Sequence, residues 1–234
     1  MNRLDYIGLI SHEVKTPIAS ISGYSDIIRN GMADEETTYK YANNIYRESN
    51  RMAKLVDDMV YILKSYENDL IPELSDKVFS RIFINAIDRI KEQYGYLGDI
   101  EVNYSEASEI EENELKVDEF MFEEAIYKIL ENCVIHGNNQ YKNDSRLPYV
   151  NINIVITKFN DKIKIEISDS GKGMSEDVAK RSFELFYRED KIKSRFMGCN
   201  GVGLSVVDKI IAVHGGKCNI SSKVNEGTIV TIII

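Results

Sequence analysis

Cysteine is scarce in this chain: Cys133, Cys199 and Cys218 are its three, widely spaced and without a CxxC pair. They supply neither a disulfide framework nor a zinc site, and a reducing cytoplasm is the expected compartment. No apolar run approaches the roughly 20 residues that a bilayer-crossing helix needs, and the opening MNRLDYIGLI lacks signal-peptide anatomy. As written, the chain is expected to be cytosolic, with any sensing region or membrane anchor on a longer parent chain or on a partner. Positive charge is in deficit, 29 Lys and Arg against 38 Asp and Glu, for a net charge of −9. That balance argues against duplex nucleic acid or an anionic membrane surface as the main partner. Internal repeats are also missing.

What is present is a core-forming composition, 43% apolar and 29% charged, over 234 residues, long for one domain and comfortable for two small ones. Positions 4, 7, 11, 14, 18, 21, 25 and 28 read Leu, Ile, Ser, Val, Ile, Ile, Ser, Ile, a helical seam in alternating steps of three and four. Asn30-Gly31 stops this helix and Asp34 caps a second one. The second seam runs Tyr41, Ile45, Glu48, Met52, Leu55, Met59, Ile62, Tyr66. Two antiparallel helices cannot cover both apolar sides alone, so a homodimer built as a four-helix bundle is expected.

The first helix carries SHEVKTPIAS, residues 11 to 20. His12 and Thr16 share one side of it, Glu13 more obliquely, which puts an imidazole, a carboxylate and a hydroxyl within reach of one reacting phosphorus. A neutral imidazole is a good nucleophile near neutral pH, and a carboxylate on its other ring nitrogen fixes the tautomer. His12 lies beside the seam and is expected to be partly exposed. Pro17 removes one backbone N–H and should kink the helix within a turn of His12.

Residues 1–68 thus form a helical hairpin, 69–77 a linker with Pro72, and 78–234 an α/β domain. The second part reads as a helix near 80–94, a strand near 100–105, and an acidic loop at 109–114. A long helix follows from Asp118 to about 135. Strands near 149–158 and 162–168 turn at Phe159-Asn160-Asp161. After these come a short helix behind Ser175, a polar stretch at 187–200, a helix at 202–214 and strands near 217–223 and 228–234. The pattern predicts an α+β sandwich with helices on one sheet face.

Three clusters in this domain suit a nucleotide. DSGKGM (169–174) offers Asp169 as acceptor for an adenine amino group, with Gly171 and Gly173 allowing close backbone approach. GCNGVGLSVV (198–207) is a glycine-rich turn entering a helix, where N–H groups face phosphates. Before it stands a basic cluster, Arg188, Lys191, Lys193 and Arg195. ILENCVIHG (129–137) places Asn132 opposite an apolar stripe of Phe122, Ile126, Ile129 and Cys133, and an amide oxygen is a reasonable single protein ligand for Mg²⁺. His136 and His214 read first as cationic helix-end residues.

In this order the motifs resemble the catalytic core of a bacterial sensor histidine kinase, over essentially the whole chain. SHEVKTP resembles that family's phosphoacceptor box, ENCVIHG its N box, DSGKGM its G1 box, FELFYR (183–188) its F box and GVGL (201–204) its G2 box. The resemblance implies a HisKA-type dimerisation and phosphotransfer hairpin followed by a Bergerat (GHKL-type) ATP-binding domain. It implies that His12 accepts the γ-phosphoryl group of Mg-ATP and passes it to an aspartate of a response regulator. Glu13 would act as base, and Thr16 would help place water for dephosphorylating the regulator. Asn132 would hold Mg²⁺ and Asp169 the adenine. His136, Gly171, Gly173, Arg188, Lys191, Gly201, Val202, Gly203 and Leu204 complete the nucleotide set.

Three positions depart from the family pattern: Lys128 stands where a second N-box asparagine is usual, Ile135 replaces a basic residue, and Leu185 replaces the F-box proline. Positions 128, 132 and 135 share a helix face, so Lys128 is expected to reach a phosphate in place of the missing base at 135. A lysine there cannot readily activate water as the carboxylate of hydrolytic relatives does, which disfavours plain ATP hydrolysis. The competing readings are a catalytically weak adaptor that binds a response regulator and a phosphatase-dominant member.

Overall fold

The computed structural model describes residues 3–66, 70–76, 79–107, 116–137, 140–141, 148–188 and 200–234. Contacts gather the chain into two units, Met1–Val60 with Leu185–Val202, and Tyr61–Glu184 with Gly203–Ile234. The acidic stretch at 109–114 and residues Lys191, Lys193 and Arg195 lie outside the described residues.

The first unit holds helix α1 (Arg3–Arg29) and most of helix α2 (Glu35–Tyr66). α1 closes as the Asn30-Gly31 pair predicts. Gly31 adopts φ +62°, its N–H donates to Ile28 O, and Met32 N–H donates to Ile27 O. This doubly bonded left-handed closure satisfies carbonyls that the helix end would otherwise orphan. Asp34 then caps α2, its Oδ1 accepting from Thr37 N at 2.8 Å. α1 is continuous across Pro17, which is buried. Tyr24 and Tyr41 hold the helices together, ring centroids 4.9 Å apart. Leu55 and Met59 of the second seam are buried, whereas Leu9, Ile18, Val56 and Val60 remain exposed.

The second unit is built on a sheet whose main path runs β2 (Asp99–Glu106), β5 (Pro148–Phe159), β6 (Lys162–Asp169), β8 (Gly227–Ile233), β7 (Lys217–Lys223). β2 pairs with β5 in parallel; the other pairs on this path are antiparallel. Two short strands, β1 (Ser75–Asp76) and β3 (Lys116–Val117), pair separately, and β4 (Gln140–Tyr141) pairs with β5. One side of the sheet carries Val150, Ile152, Ile154, Ile156, Ile163, Ile165, Ile167, Val230 and Ile232, all buried. This period-two burial is what a sheet with one covered face requires. The helices are α3 (Phe79–Tyr94), α4 (Glu119–His136), the short α5 (Glu176–Arg181) and α6 (Gly203–Val213). α4 is the central one, packing against α3, α6, β5 and β6, with Phe122, Ile126, Ile129 and Cys133 buried along it. Helices and strands thus form the expected α+β sandwich.

Asp118 caps α4, its Oδ1 accepting from Met121 N at 3.0 Å. Asp118 also shows why His214 is not the cationic helix-end residue expected. His214 Nε2 accepts from Asp118 N–H at 3.0 Å, while Nδ1 faces Ile210 O at 2.7 Å. An accepting Nε2 demands a neutral ring whose proton sits on Nδ1. The imidazole also packs edge-on against Phe122. It ties the end of α6 to the start of α4. His214→Leu leaves the Asp118 N–H without its acceptor and is expected to destabilise the fold by about 1–3 kcal/mol, read from urea unfolding.

Candidate active site

On α1, His12 is 80% exposed, with Nδ1 3.8 Å from Glu13 Oε1. His12, Lys15, Thr16, Ala19 and Ser20 line an open cleft of about 540 Å³. Thr16 Oγ1 donates to His12 O at 3.0 Å, which keeps the hydroxyl on the helix backbone one turn from the imidazole. The carboxylate of Glu13 turns inward. Its Oε2 accepts from Arg188 Nη2 at 2.8 Å and lies 3.5 Å from Arg51 Nη2. The nucleotide contact expected of Arg188 is therefore not what this structure has: its buried guanidinium is bound to Glu13.

Residues on either side of 189–199 are joined by Phe186 N–H donating to Gly201 O at 2.7 Å. Phe186 is held at φ +64°, a conformation that costs a bulky residue about 1–3 kcal/mol. Gly201 (φ +70°) has no room for a side chain, since a Cβ would lie 2.8 Å from Tyr187 O. Val202 is buried beside it in the chain.

In the second unit the centre is Asp169, the last residue of β6. Its Oδ1 accepts from Gly171 N at 2.7 Å, and the Thr228 N–H and Cys133 thiol also donate to the carboxylate. Burial pushes its pKa above the ordinary 3.8, and these hydrogen bonds pull the other way. The Cys133 thiol is driven well upward by burial and by the Asp169 charge, so it is a donor rather than a nucleophile. Backbones meet closely here. A Cβ on Gly171 would lie 2.5 Å from Asp169 Oδ1 and 2.9 Å from Gly137 Cα. His136 ends α4 just before Gly137 and is part-exposed. Asn132, half-buried on the same helix, faces the start of α6, its Nδ2 4.0 Å from where a Cβ of Gly203 would stand. Gly203 and Leu204 form the first turn of α6, whose unpaired N–H groups suit an anion.

Lys128 is engaged with a carboxylate of its own helix. It is 4% exposed along its side chain, and Nζ lies 3.1 Å from Glu124 Oε1. Glu124 also takes Arg89 at 2.6 Å, and the Arg89 guanidinium sits 3.7 Å from the centroid of the Tyr127 ring. The phosphate role expected of Lys128 is corrected accordingly: a buried ammonium needs its i−4 carboxylate. Ile135 is buried in the core. Three residues were not singled out in the sequence: Arg51, Asn200 and, as partner of Asp169, Cys133. Only Glu48-x-x-Arg51, a helical i, i+3 pair, left a local trace.

A helical hairpin bearing an exposed histidine, followed by an α+β sandwich, has the architecture of a sensor histidine kinase catalytic core. Residues 117–234 match the family model described as histidine kinase-, DNA gyrase B-, and HSP90-like ATPase, and the chain belongs to that family. Residues 3–65 match the His Kinase A (phospho-acceptor) domain. Among curated proteins it is similar to the signal transduction histidine-protein kinase ArlS of Staphylococcus aureus (strain USA300), 31% identical over 231 residues, covering 95% of this chain and 47% of that protein. The chain spans about half the length of the curated relatives it matches. Its fold is shared with the Acinetobacter baumannii histidine kinase AdeS (TM-score 0.71, 18% identity, 95% of this chain and 96% of that one). It is shared too with histidine kinase ThkA, solved with response regulator protein TrrA (TM-score 0.73, 19% identity, 98% and 60%). Among the described residues, no helix is long and apolar enough to cross a membrane.

Two glycines of this unit separate backbone strain from steric exclusion. Gly215 (φ +76°) has open space around it, whereas a Cβ on Gly173 (φ +58°) would lie 1.9 Å from Lys223 O. Gly215→Ala should cost about 1 kcal/mol and Gly173→Ala at least about 3 kcal/mol in urea unfolding.

Proposed function

We propose that this chain binds Mg-ATP, phosphorylates itself on His12 and transfers the phosphoryl group to an aspartate of a response regulator. The observation that carries the reading is the exposed His12 imidazole with the Glu13 carboxylate at its Nδ1 side. With Nδ1 facing Glu13, Nε2 is the free nucleophile. The Nε2–P bond forms as the bond from the γ-phosphorus to the bridging oxygen breaks, and that electron pair leaves on ADP. The proton on Nδ1 is stabilised by, or passes to, Glu13 Oε1. In the second step the phosphoryl group moves from Nε2 to a carboxylate oxygen of the regulator. Such loose transfers depend mainly on positioning and charge neutralisation.

Asp169 would accept from the adenine amino group, with Gly171 and Gly173 admitting the base. The turn from Gly201 to Leu204 and the α6 N terminus would receive phosphates. Asn132 fits Mg²⁺ as a single amide ligand. Among the described residues no group of three or more His, Cys, Asp or Glu could hold the ion alone, so it would arrive with the nucleotide. When bound it neutralises phosphate charge. Thr16, one turn from His12, would place water for regulator dephosphorylation once it leaves the His12 carbonyl. The exposed Leu9, Ile18, Val56 and Val60 support covering by a second copy, hence a homodimer. A kinase of this fold solved with its response regulator supports the same class of partner here.

Incubation with labelled Mg-ATP should leave acid-labile, base-stable label on the chain and none on His12→Ala. An unlabelled chain that still binds a receiver domain would favour the adaptor. Asp169 adds a pH signature. An acceptor carboxylate works only when ionised, and burial raises its pKa above 3.8. Nucleotide affinity should therefore weaken on acidification starting at higher pH than an ordinary aspartate would give. Asp169→Asn should lose that component of the pH dependence and bind about tenfold or more weakly, measured with a fluorescent ATP analogue.

A further inference from the structure

An arginine on the second helix joins the two features on which the proposed reaction depends. Arg51 is 6% exposed, and a buried guanidinium is tolerated only when its donors are answered. Nε donates to Asn200 Oδ1 at 2.8 Å, Nη1 to Glu48 Oε2 at 3.3 Å, and Nη2 lies 3.5 Å from Glu13 Oε2. Asn200 returns the contact, its Nδ2 donating to the Arg51 carbonyl at 3.2 Å. Asn200 is itself 6% exposed and directly precedes the Gly201-Val202-Gly203 turn. One side chain therefore reaches both the carboxylate beside the phosphoacceptor and the residue that opens the glycine-rich turn.

The division of the Glu13 oxygens gives this arrangement its chemical sense. Arg188 and Arg51 both address Oε2, which leaves Oε1 on the His12 side at 3.8 Å. A glutamate has three torsions, and one oxygen fixed by two guanidiniums removes most of that freedom. A short shift then closes Oε1 onto Nδ1, in the way a third group orients the base of other nucleophile–base pairs.

We propose that Arg51 is a positioning residue for phosphoryl transfer, holding Glu13 with Oε1 towards His12 while pinning Asn200 at the start of the glycine-rich turn. The proposal rests on the reading of His12 as phosphoacceptor and Glu13 as its base. Arg51 acts through Glu13, not on the phosphate.

The test uses the full chain, with initial rates of autophosphorylation against ATP concentration. Arg51→Met is expected to lower kcat at least tenfold with KM for ATP within threefold of the parent. Arg51→Lys keeps the charge but cannot bridge three partners, and should recover only a small part of the loss. Asn200→Ala, which keeps both arginines, should lower kcat about three- to tenfold. The deciding readout is the mutant cycle: adding Arg51→Met to a chain that already carries Glu13→Gln and Asn200→Ala should change the rate less than twofold, because both residues it works through are already disabled. Independent, multiplicative losses overturn the proposal, as does full activity of Arg51→Met. If Arg51→Met does not fold, judged by urea unfolding, the cycle is run with Arg51→Lys and read by the same criterion. Absence of label on the parent chain overturns the kinase reading and this proposal together. Label on the parent with an unaffected Glu13→Gln overturns this proposal alone.

Discussion

Asp169 is the point at which the second unit converges. Its carboxylate takes the Gly171 N–H from the following loop, the Thr228 N–H from β8 and the Cys133 thiol from α4. Those bonds hold together only because the neighbouring backbones lack side chains. A Cβ on Gly227 would lie 2.0 Å from Asp169 O, and one on Gly171 would collide with the carboxylate itself. A buried carboxylate is costly unless it is hydrogen-bonded, so strand, loop and helix have to meet there. The glycines are the steric condition of that meeting, and the close backbone approach that suits a flat ligand is its by-product.

Glu13 is the opposite solution to the same problem. Its carboxylate is answered by guanidiniums rather than by N–H groups and a thiol. Backbone donors fix a carboxylate for good, whereas side-chain donors on long stems can be exchanged. That difference suits the two proposed tasks. An adenine acceptor gains from a rigid cradle, while a base that must follow an imidazole through phosphorylation gains from a partner set that can loosen. His12, by contrast, is 80% exposed.

Much of this was legible in the residues because it is local. The Asn30-Gly31 closure, the Asp34, Asp118 and Ser175 caps, and the period-two strands β5 and β6 each follow from neighbours a few positions apart. Lys128 was misread although its partner was in plain view. Glu124 stands four residues before it, the favourable helical order for an ion pair, and that local pairing prevailed over a distant phosphate. His214 was misread for the converse reason, since Asp118 lies 96 positions away. Arg188 meets Glu13 across 175 positions and Arg51 meets Asn200 across 149, separations that no single-sequence spacing rule reaches. The chemistry-bearing residue types could be picked out; their pairings depended on the fold.

Electroneutrality ties these observations together. Beside the His12 imidazole the two carboxylates Glu13 and Glu48 face the two guanidiniums Arg51 and Arg188. In α4, Glu124 is likewise matched by Lys128 and Arg89. Burial in a chain of net charge −9 leaves few cations to spare, and the basic side chains placed here are already committed to carboxylates. On the proposed reading, backbone N–H groups and the helix dipole at the α6 N terminus would share the phosphate charge with a metal ion. Ile135, standing where a basic residue is usual, sits 8% exposed among the apolar residues of the core.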